Sequence, residues 1–323
     1  MTISRGSQIN NYDSILKDLY SRYFTRFSEH SGVTSSHWRT VGWQKVNEKD
    51  DKWQTLGCGF GSFQPANLIN KIKFLPQKFL LSHLLEKNHC SDYLVEKGKR
   101  AALMSGRLFD FDCVKQVLSL HLIVKLLNSK AYLSHCGIKT VCVIGDGYGY
   151  FSSLIKLVDP DVKVISINLG RTLFFDVLYS MKCFPEIHPI LLSEEENKYE
   201  LVSNNQLIFI EAENYGFLKG LPVDLFVNIA SMQEMDPGII GNYFQYMRSS
   251  SQYPCYFYCC NRLEKKLPDG TITEFMKYPW QESVVLLDEL CPWYQKYPSS
   301  KPMFWFSFDG PVQHRFVELK GRR

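Results

Sequence analysis

The chain has 323 residues, of which 45% are hydrophobic, 14% aromatic and 22% charged. This composition is typical of a globular protein and excludes a disordered or fibrous chain, and the length is enough to bury a large core. Lysine and arginine total 37 against 33 aspartate and glutamate, which gives a formal net charge of +4. So small an excess argues against a dedicated nucleic-acid binder, which concentrates its basic residues on one face.

The ten cysteines form no C-x-x-C pair and no cluster with histidine at zinc-finger spacing. Several lie within apolar runs, as Cys142 and Cys259 do, where a thiol behaves as a small hydrophobic group. We therefore expect reduced core cysteines in a cytoplasmic protein rather than a disulfide framework. The first residues lack the pattern of a secretory signal, and the apolar stretch 114–127 contains charged side chains, which argues against a membrane span.

The first part of the chain, residues 1–130, is predicted to be a helical, aromatic-rich region. Residues 65–100 carry apolar side chains three and four apart, which predicts helix in separate pieces. A longer helix with an apolar face is expected to follow Asp112 and to stop before Gly137. The GCGFG run at 57–61 has no apolar strand before it, which favours a flexible turn over a phosphate loop.

From Thr140 onward, apolar runs of strand length alternate with helical stretches. Strands are expected at 141–144, 162–167, 206–210, 223–230 and 255–260, and helices at 150–158, 171–184 and 238–247. Buried strands separated by helices indicate a parallel sheet covered on both faces, and the tail predicts a hairpin between 303–308 and 314–319. The predicted fold class is α/β, a Rossmann-like doubly wound, mostly parallel sheet with a C-terminal antiparallel hairpin, preceded by the helical region.

The segment 141–150, VCVIGDGYGY, runs from a predicted strand through three glycines into a predicted helix. Glycine lets the backbone turn sharply and approach a ligand, and the helix behind the loop presents unpaired N–H groups. The dinucleotide pattern G-x-G-x-x-G would need a glycine where Tyr150 stands, and no P-loop G-K-[ST] exists. The spacing of Gly145, Gly147 and Gly149 is instead typical of methyltransferases that use S-adenosylmethionine (SAM).

Four segments together resemble the sugar O-methyltransferase family, within the class I SAM-dependent methyltransferase superfamily. They are VCVIGDGYGYFSSLI, VISINLGRTLFFDVLY, VDLFVNIASMQEMDPGIIGNYFQYM and FYCCNR. The resemblance implies a SAM-binding methyltransferase domain over 131–323, SAM as the cofactor, and a small-molecule sugar or glycoside as methyl acceptor. Residues 1–130 would then cap the acceptor site or assemble the chain into a homo-oligomer.

Two positions depart from the methyltransferase pattern. The acidic residue two places before the first glycine, which helps to hold the amino group of the cofactor, is Val143 here. The acidic residue at the end of the second strand, which accepts both ribose hydroxyls, is Asn168, and an amide lacks the charge-assisted hydrogen bonds of a carboxylate. Asp146, between the first two glycines, is a candidate replacement for the first carboxylate.

Methyl transfer to a hydroxyl needs alignment of donor and acceptor, and often a base that removes the hydroxyl proton. The loop after the fourth strand lies where open α/β sheets bind their ligands, and it contains Glu234 and Asp236. Asp236 precedes Pro237, the pattern of a helix N-cap followed by proline. Glu234 is therefore the candidate general base or anchor for the substrate hydroxyl.

The other candidate residues follow the ends of the predicted strands. The cofactor candidates are Gly145, Asp146, Gly147, Gly149, Asn168, Glu213 and Asn228, and the substrate candidates are Ser231, Asn261 and Arg262. Arg262 would clamp an anionic substrate group or form a surface ion pair. No metal ligands are indicated, and dependence on magnesium stays open.

Two alternative functions stay open at this point. The departures at Val143 and Asn168 suggest a non-catalytic methyltransferase-like module. The D-x-D triplets at 110–112 and 159–161 suggest a glycosyltransferase that uses a sugar nucleotide.

Overall fold

The computed structural model describes residues 11–24, 34–40, 45–49, 52–56, 65–129, 132–192, 200, 202, 204–250, 255–298 and 305–320. The predicted turn at 57–61 lies outside these residues. The described N-terminal region contains the helices α1 (Tyr12–Tyr23), α2 (Ser36–Thr40), α3 (Leu68–Lys87), α4 (Asp92–Met104) and α5 (Phe111–Leu126). A two-stranded antiparallel sheet, β1 (Lys45–Lys49) and β2 (Lys52–Leu56), lies between α2 and α3 in sequence.

Two helices differ from the prediction. α3 is a single helix that runs through Pro76, because buried side chains on both sides of the proline, such as Phe74 and Leu81, hold it against the core. α5 starts earlier and ends sooner than expected: the carboxylate of Asp110 caps it by accepting the backbone N–H of Cys113. It ends at Leu126, and Asn128 follows with a φ of +57°, a left-handed conformation that breaks a helix.

The main sheet has eight strands in the described chain. They are β3 (Thr140–Ile144), β4 (Lys163–Asn168), β5 (Ile190–Leu191), β6 (Leu207–Glu211), β7 (Leu225–Ile229), β8 (Cys255–Arg262), β11 (Ser283–Leu290) and β14 (Val312–Leu319). Their order across the sheet is β11-β14-β8-β7-β3-β4-β6-β5, and β14 runs antiparallel to both of its neighbours. The other pairings are parallel.

Helices cover both faces of this sheet: α6 (Tyr150–Val158), α7 (Gly170–Cys183) and α8 (Pro237–Ser250). Successive side chains of β3 point to opposite faces, so that Val141 packs in one apolar cluster and Cys142 in the other. The cluster around Val141 also contains Ile15 of α1 and Val117 of α5. The N-terminal helices therefore share a core with the α/β sheet.

The predicted fold class, a Rossmann-like doubly wound sheet with a C-terminal antiparallel pair, is confirmed, although the pair has a different member. β14 pairs along its whole length with β8, and from Gln313 to Leu319 with β11, a strand that was not predicted. Residues 305–307 form β13 (Trp305–Ser307), which pairs with β12 (Lys296–Pro298). The remaining short strands, β9 (Glu264–Lys266) and β10 (Ile272–Glu274), pair with each other.

Two further observations concern the whole of the described chain. Nine cysteines are described, all of them free thiols, and seven of these are buried. Among the helices that the structure describes, none combines the length and apolar character needed to cross a membrane.

Candidate active site

A cavity of about 530 Å³ opens at the carboxyl ends of β3, β4 and β7, where the strand order reverses. Open α/β sheets bind their ligands at such a position. One wall is the glycine loop, residues 145–148, and another is the loop after β7, which contains Ser231 and Glu234. α2, the start of α5 and three aromatic side chains after β11 complete the cavity.

The three glycines of the loop all have left-handed backbone conformations, with φ values of 74°, 84° and 64° for Gly145, Gly147 and Gly149. Gly145 and Gly147 line the cavity. A Cβ on Gly145 would lie 2.0 Å from Ser231 Oγ, so glycine is required for the loop after β7 to approach. A Cβ on Gly149 would lie 2.9 Å from the carbonyl oxygen of Asp176, which gives this glycine a packing role.

Asp146 lies on the cavity wall, but both of its carboxylate oxygens are already engaged. Oδ1 accepts the backbone N–H of Phe151 at 2.9 Å, and Oδ2 accepts that of Ser152 at 2.7 Å. The side chain therefore caps the start of α6. Burial raises the pKa of Asp146 above its ordinary value, although these hydrogen bonds oppose the shift.

Asn168 ends β4 and lies on the cavity wall. Its Nδ2 donates to Asp176 Oδ2 at 3.0 Å, and its Oδ1 accepts the hydroxyl of Thr172 at 2.8 Å. Asp176 is fully buried, and burial raises its pKa well above the ordinary value. A carboxylate at position 168 would lack the N–H that Asn168 donates to Asp176, which explains the amide at this position.

The end of β6 is occupied by contacts with α1. Glu211 accepts Arg22 Nη1 at 2.6 Å on both of its oxygens and the hydroxyl of Tyr23 at 2.6 Å. The ring of Tyr23 also covers Gly170, where a Cβ would lie 2.2 Å from a ring carbon. Glu213, the predicted cofactor residue of this segment, is exposed and is not among the described residues that line the cavity.

Asn228 and Asn261 lie inside the protein rather than on the described cavity wall, and both are fully buried. Asn228 Nδ2 donates to the carbonyl of Ile144 at 2.8 Å, and its Oδ1 accepts Asn261 Nδ2 at 2.8 Å. Asn228 Oδ1 also accepts the N–H of Met232, and Asn261 Oδ1 accepts that of Gln233, each at 3.0 Å. The two amides therefore hold the loop after β7 against the glycine loop.

Glu234 lies on the cavity wall within a cluster of charged groups. Lys265 Nζ lies 2.7 Å from Glu234 Oε1, and His37 Nε2 lies 3.5 Å from the same oxygen. The hydroxyl of Ser35 donates to the backbone carbonyl of Glu234, which holds the start of α2 over this loop. Burial lowers the pKa of His37 below its ordinary value and Lys265 adds to the effect, whereas Glu234 opposes it.

Arg262 is held away from the described cavity wall. Its Nη1 lies 3.1 Å from Asp309 Oδ2, and the side chain of Asp309 is 96% exposed. This contact is the surface ion pair that the sequence left open as an alternative to substrate binding.

The two D-x-D triplets do not form a metal site in the described structure. Asp110 caps α5 and accepts Arg107 Nη2 on both oxygens, at 3.0 and 2.9 Å. Asp159 accepts the backbone N–H of Ser134 at 2.8 Å. Within the described ranges, no group of three histidine, cysteine or acidic side chains is arranged to hold a metal ion.

The start of α5 brings further charged and polar side chains to the cavity. Asp112, Lys115 and Gln116 all line it, together with the rings of Phe111, Tyr294 and Phe308. Lys115 Nζ lies 3.2 Å from Asp112 Oδ1 and 3.9 Å from the centre of the Tyr294 ring. Apart from the D-x-D triplet, which contains Asp112, no sequence motif pointed to these residues, because they stand far from the glycine loop along the chain.

No protein-family model matches the chain, and no curated protein sequence matches it. Among solved structures, it resembles the O-methyltransferase TomG from Streptomyces achromogenes in complex with SAM. That match has a TM-score of 0.40 and 13% identity over 72% of this chain and 91% of the other. The N-methyltransferase NodS from Bradyrhizobium japonicum WM9, in complex with S-adenosyl-L-homocysteine (SAH), matches with a TM-score of 0.38 and 9% identity over 62% and 85%.

The mitomycin 7-O-methyltransferase MmcR matches with a TM-score of 0.37 and 10% identity, over 65% of this chain and 56% of the other. The strand order itself, with β14 inserted antiparallel between β8 and β11, is that of a Rossmann-like, mostly parallel sheet.

The structure thus brings together six of the predicted site residues on the described cavity wall: Gly145, Asp146, Gly147, Asn168, Ser231 and Glu234. The sequence pattern missed His37 and Lys265, which flank Glu234. Neither residue carries a sequence signal of its own, because each is far from Glu234 along the chain.

Proposed function

We propose that this chain is a SAM-dependent O-methyltransferase that transfers a methyl group to a hydroxyl of a sugar or glycosylated molecule. The observation that carries the proposal is the cavity between the glycine loop and Glu234, at the strand-order reversal of a methyltransferase-type sheet. Its volume of about 530 Å³ lies within the range of small-molecule sites.

The residues on the cavity wall fit the proposed cofactor. Gly147 offers backbone without a side chain, which permits close approach of a ligand. When bound, SAM supplies an electrophilic methyl group on a positively charged sulfonium. The carboxylates of Asp112 and Glu234, each also paired with a lysine, lie on the wall of the same cavity and attract a cation there.

The acceptor is proposed to be a sugar because aromatic rings and hydrogen-bonding groups share the cavity. Trp38, Tyr297 and Phe308 offer flat apolar faces, which suit the C–H surfaces of a sugar ring. Ser231 and Glu234 offer hydrogen-bonding groups for hydroxyls on the same wall.

Glu234 is proposed as the proton acceptor of the reaction. The acceptor oxygen bonds to the methyl carbon while the carbon–sulfur electron pair returns to sulfur, so the products are a methyl ether, SAH and a proton. Lys265 holds the carboxylate of Glu234 in place at 2.7 Å. His37, whose pKa is lowered and which is therefore neutral at pH 7, lies 3.5 Å from the same carboxylate and is placed to take up the proton next.

Calorimetric titration with SAM and SAH tests the cofactor. Saturable binding is expected, and a lack of binding at millimolar ligand would refute the proposal. Formation of SAH with a panel of sugars, glycosides and sugar nucleotides then tests the acceptor. Binding without turnover on any member of the panel would favour the non-catalytic module.

The variant Glu234→Gln tests the proposed base. Loss of the base is expected to lower kcat by roughly 100-fold or more, with SAH affinity unchanged. Glu274→Gln is the matched control, because Glu274 is also paired with a lysine, Lys277, but lies outside the described cavity wall. An unchanged kcat in Glu234→Gln would leave this carboxylate with a structural role.

A further inference from the structure

The cavity wall lacks a carboxylate at the position where methyltransferases usually hold the amino group of the cofactor. Val143 stands there and is buried in the core. Asp146, the replacement suggested by the sequence, has both oxygens engaged at the start of α6. An ammonium group in this cavity has other acidic side chains to meet, because the described wall also carries Asp110, Asp112 and Glu234.

Three polar side chains on one face of α5 line the cavity. Asp112, Lys115 and Gln116 are three and four residues apart, a spacing that places them next to one another on a helix. Lys115 Nζ lies 3.2 Å from Asp112 Oδ1, and Gln116 Nε2 donates to Asp112 Oδ2 at 3.4 Å. The three side chains therefore form a connected group at the wall.

Both charges of this group persist at neutral pH. Burial opposes ionisation of Asp112, but Lys115 and Arg107 hold its pKa below the ordinary value. Burial likewise opposes the charge on Lys115, yet Tyr294 and Asp112 keep its pKa above the ordinary value. The side chain of Lys115 is 7% exposed and that of Asp112 26%, so water screens the pair little.

The group retains unused hydrogen-bonding capacity toward a ligand. The ammonium of Lys115 has three donors, and a carboxylate has about four acceptor positions. Gln116 Oε1 is buried and has no hydrogen-bond partner among the described residues. Asp112, Lys115 and Gln116 line the same cavity as residues 145–148 of the glycine loop.

We propose that Asp112, Lys115 and Gln116 bind the zwitterionic amino-acid end of SAM, a role that rests on the proposed function. The ligand ammonium donates to the Asp112 carboxylate and to Gln116 Oε1, and the ligand carboxylate accepts from Lys115. The Asp112–Lys115 pair carries no net charge, and neither does the zwitterionic end of the ligand, so their association buries no net charge. Asp112 thus supplies, from α5, the carboxylate that position 143 lacks.

The test compares ligands that share the nucleoside and the sulfur but differ at the amino-acid end. Calorimetry on the full chain would use three ligands: SAH, 5′-methylthioadenosine and decarboxylated SAM. Methylthioadenosine lacks the whole amino-acid end, and decarboxylated SAM lacks the carboxylate of that end but keeps its amino group. Asp112→Asn is expected to weaken SAH about 10- to 100-fold and to leave methylthioadenosine within about twofold. Lys115→Met is expected to weaken SAH similarly and to leave decarboxylated SAM unchanged.

Asp288→Asn is the matched control. Asp288 is paired with a buried arginine, Arg315, and its side chain is 30% exposed, but it lies outside the described cavity wall. The Asp288→Asn variant should bind all three ligands with the affinity of the wild type. Lys115→Met serves as the second variant if Asp112→Asn does not fold, because the stem of methionine preserves the packing under Tyr294.

The outcomes separate this inference from the proposed function. Equal losses of SAH and methylthioadenosine in a folded variant, or unchanged SAH affinity, would overturn the role of this group while leaving the cofactor in place. A wild-type chain that binds neither ligand would overturn the proposed function and this inference together. Selective loss of SAH supports both.

Discussion

Replacement of Gly145 by alanine tests the close approach between the glycine loop and the loop after β7. Gly145 has a φ of 74°, and a Cβ built there would lie 2.0 Å from Ser231 Oγ and 2.5 Å from Ser231 Cβ. The left-handed conformation costs alanine about 1–2 kcal/mol, and forced repacking adds about 1–3 kcal/mol. We therefore expect Gly145→Ala to lower the free energy of unfolding by about 2–5 kcal/mol, measured by urea denaturation.

Gly106→Ala separates the two contributions. Gly106 has a φ of 76°, but no atom lies within 4 Å of the position of its added Cβ, so this variant carries the backbone cost alone. The double variant Gly145→Ala, Ser231→Gly should recover the repacking contribution, which gives a coupling of at least about 1 kcal/mol between the two sites. Strictly additive losses, or equal losses in Gly106→Ala and Gly145→Ala, would refute the contact between these loops.

Two further perturbations concern buried carboxylates. Burial raises the pKa of Asp176 above its unfolded-state value, so the folded chain keeps a proton that the unfolded chain has lost, and stability decreases as pH rises between the two pKa values. The neutral variant Asp176→Asn should therefore have a free energy of unfolding about 1–3 kcal/mol higher than that of the wild type at pH 8. Denaturation curves should show this difference shrinking toward pH 4. A difference that does not change with pH would contradict this reasoning. Glu211→Gln removes the negative charge of the side chain that accepts hydrogen bonds from Arg22 and Tyr23. We expect it to lower the free energy of unfolding by about 1–3 kcal/mol and to speed hydrogen exchange in α1. Unchanged exchange in α1 would show that these contacts do not hold the helix.

Much of the α/β sheet could be predicted from the sequence. α6 spans the predicted residues 150–158, and α8 begins at Pro237 as the Asp236-Pro237 pair indicated. Each of these elements is specified by neighbours along the chain: apolar runs, helical spacing and a capping pair. β11 was missed although residues 284–287 form an apolar run of strand length. In the structure it is an edge strand, and most of its side chains are exposed, including Val284, Val285 and Leu286.

The candidate site, too, could be predicted from the sequence only in part. The glycine loop, Asn168 and the loop containing Ser231 and Glu234 follow strand ends, and parallel strands end at one edge of the sheet, so their meeting at the cavity could be predicted. Which side chains face the cavity could not be predicted. Asn228 and Asn261 also lie at strand ends, each one residue before the last residue of its strand, β7 or β8. The hydrogen bond between the two amides nevertheless keeps both side chains inside the protein.

The sequence by itself determined the order of elements, the strand–glycine–helix unit and the loop that carries Glu234, because these depend on residues close together along the chain. Only the tertiary structure decided that His37 and Lys265 flank Glu234, and that Asp112 and Lys115 line the same cavity as the glycine loop. Charge pairing and burial act through space, and they join residues whose spacing in sequence follows no periodic rule.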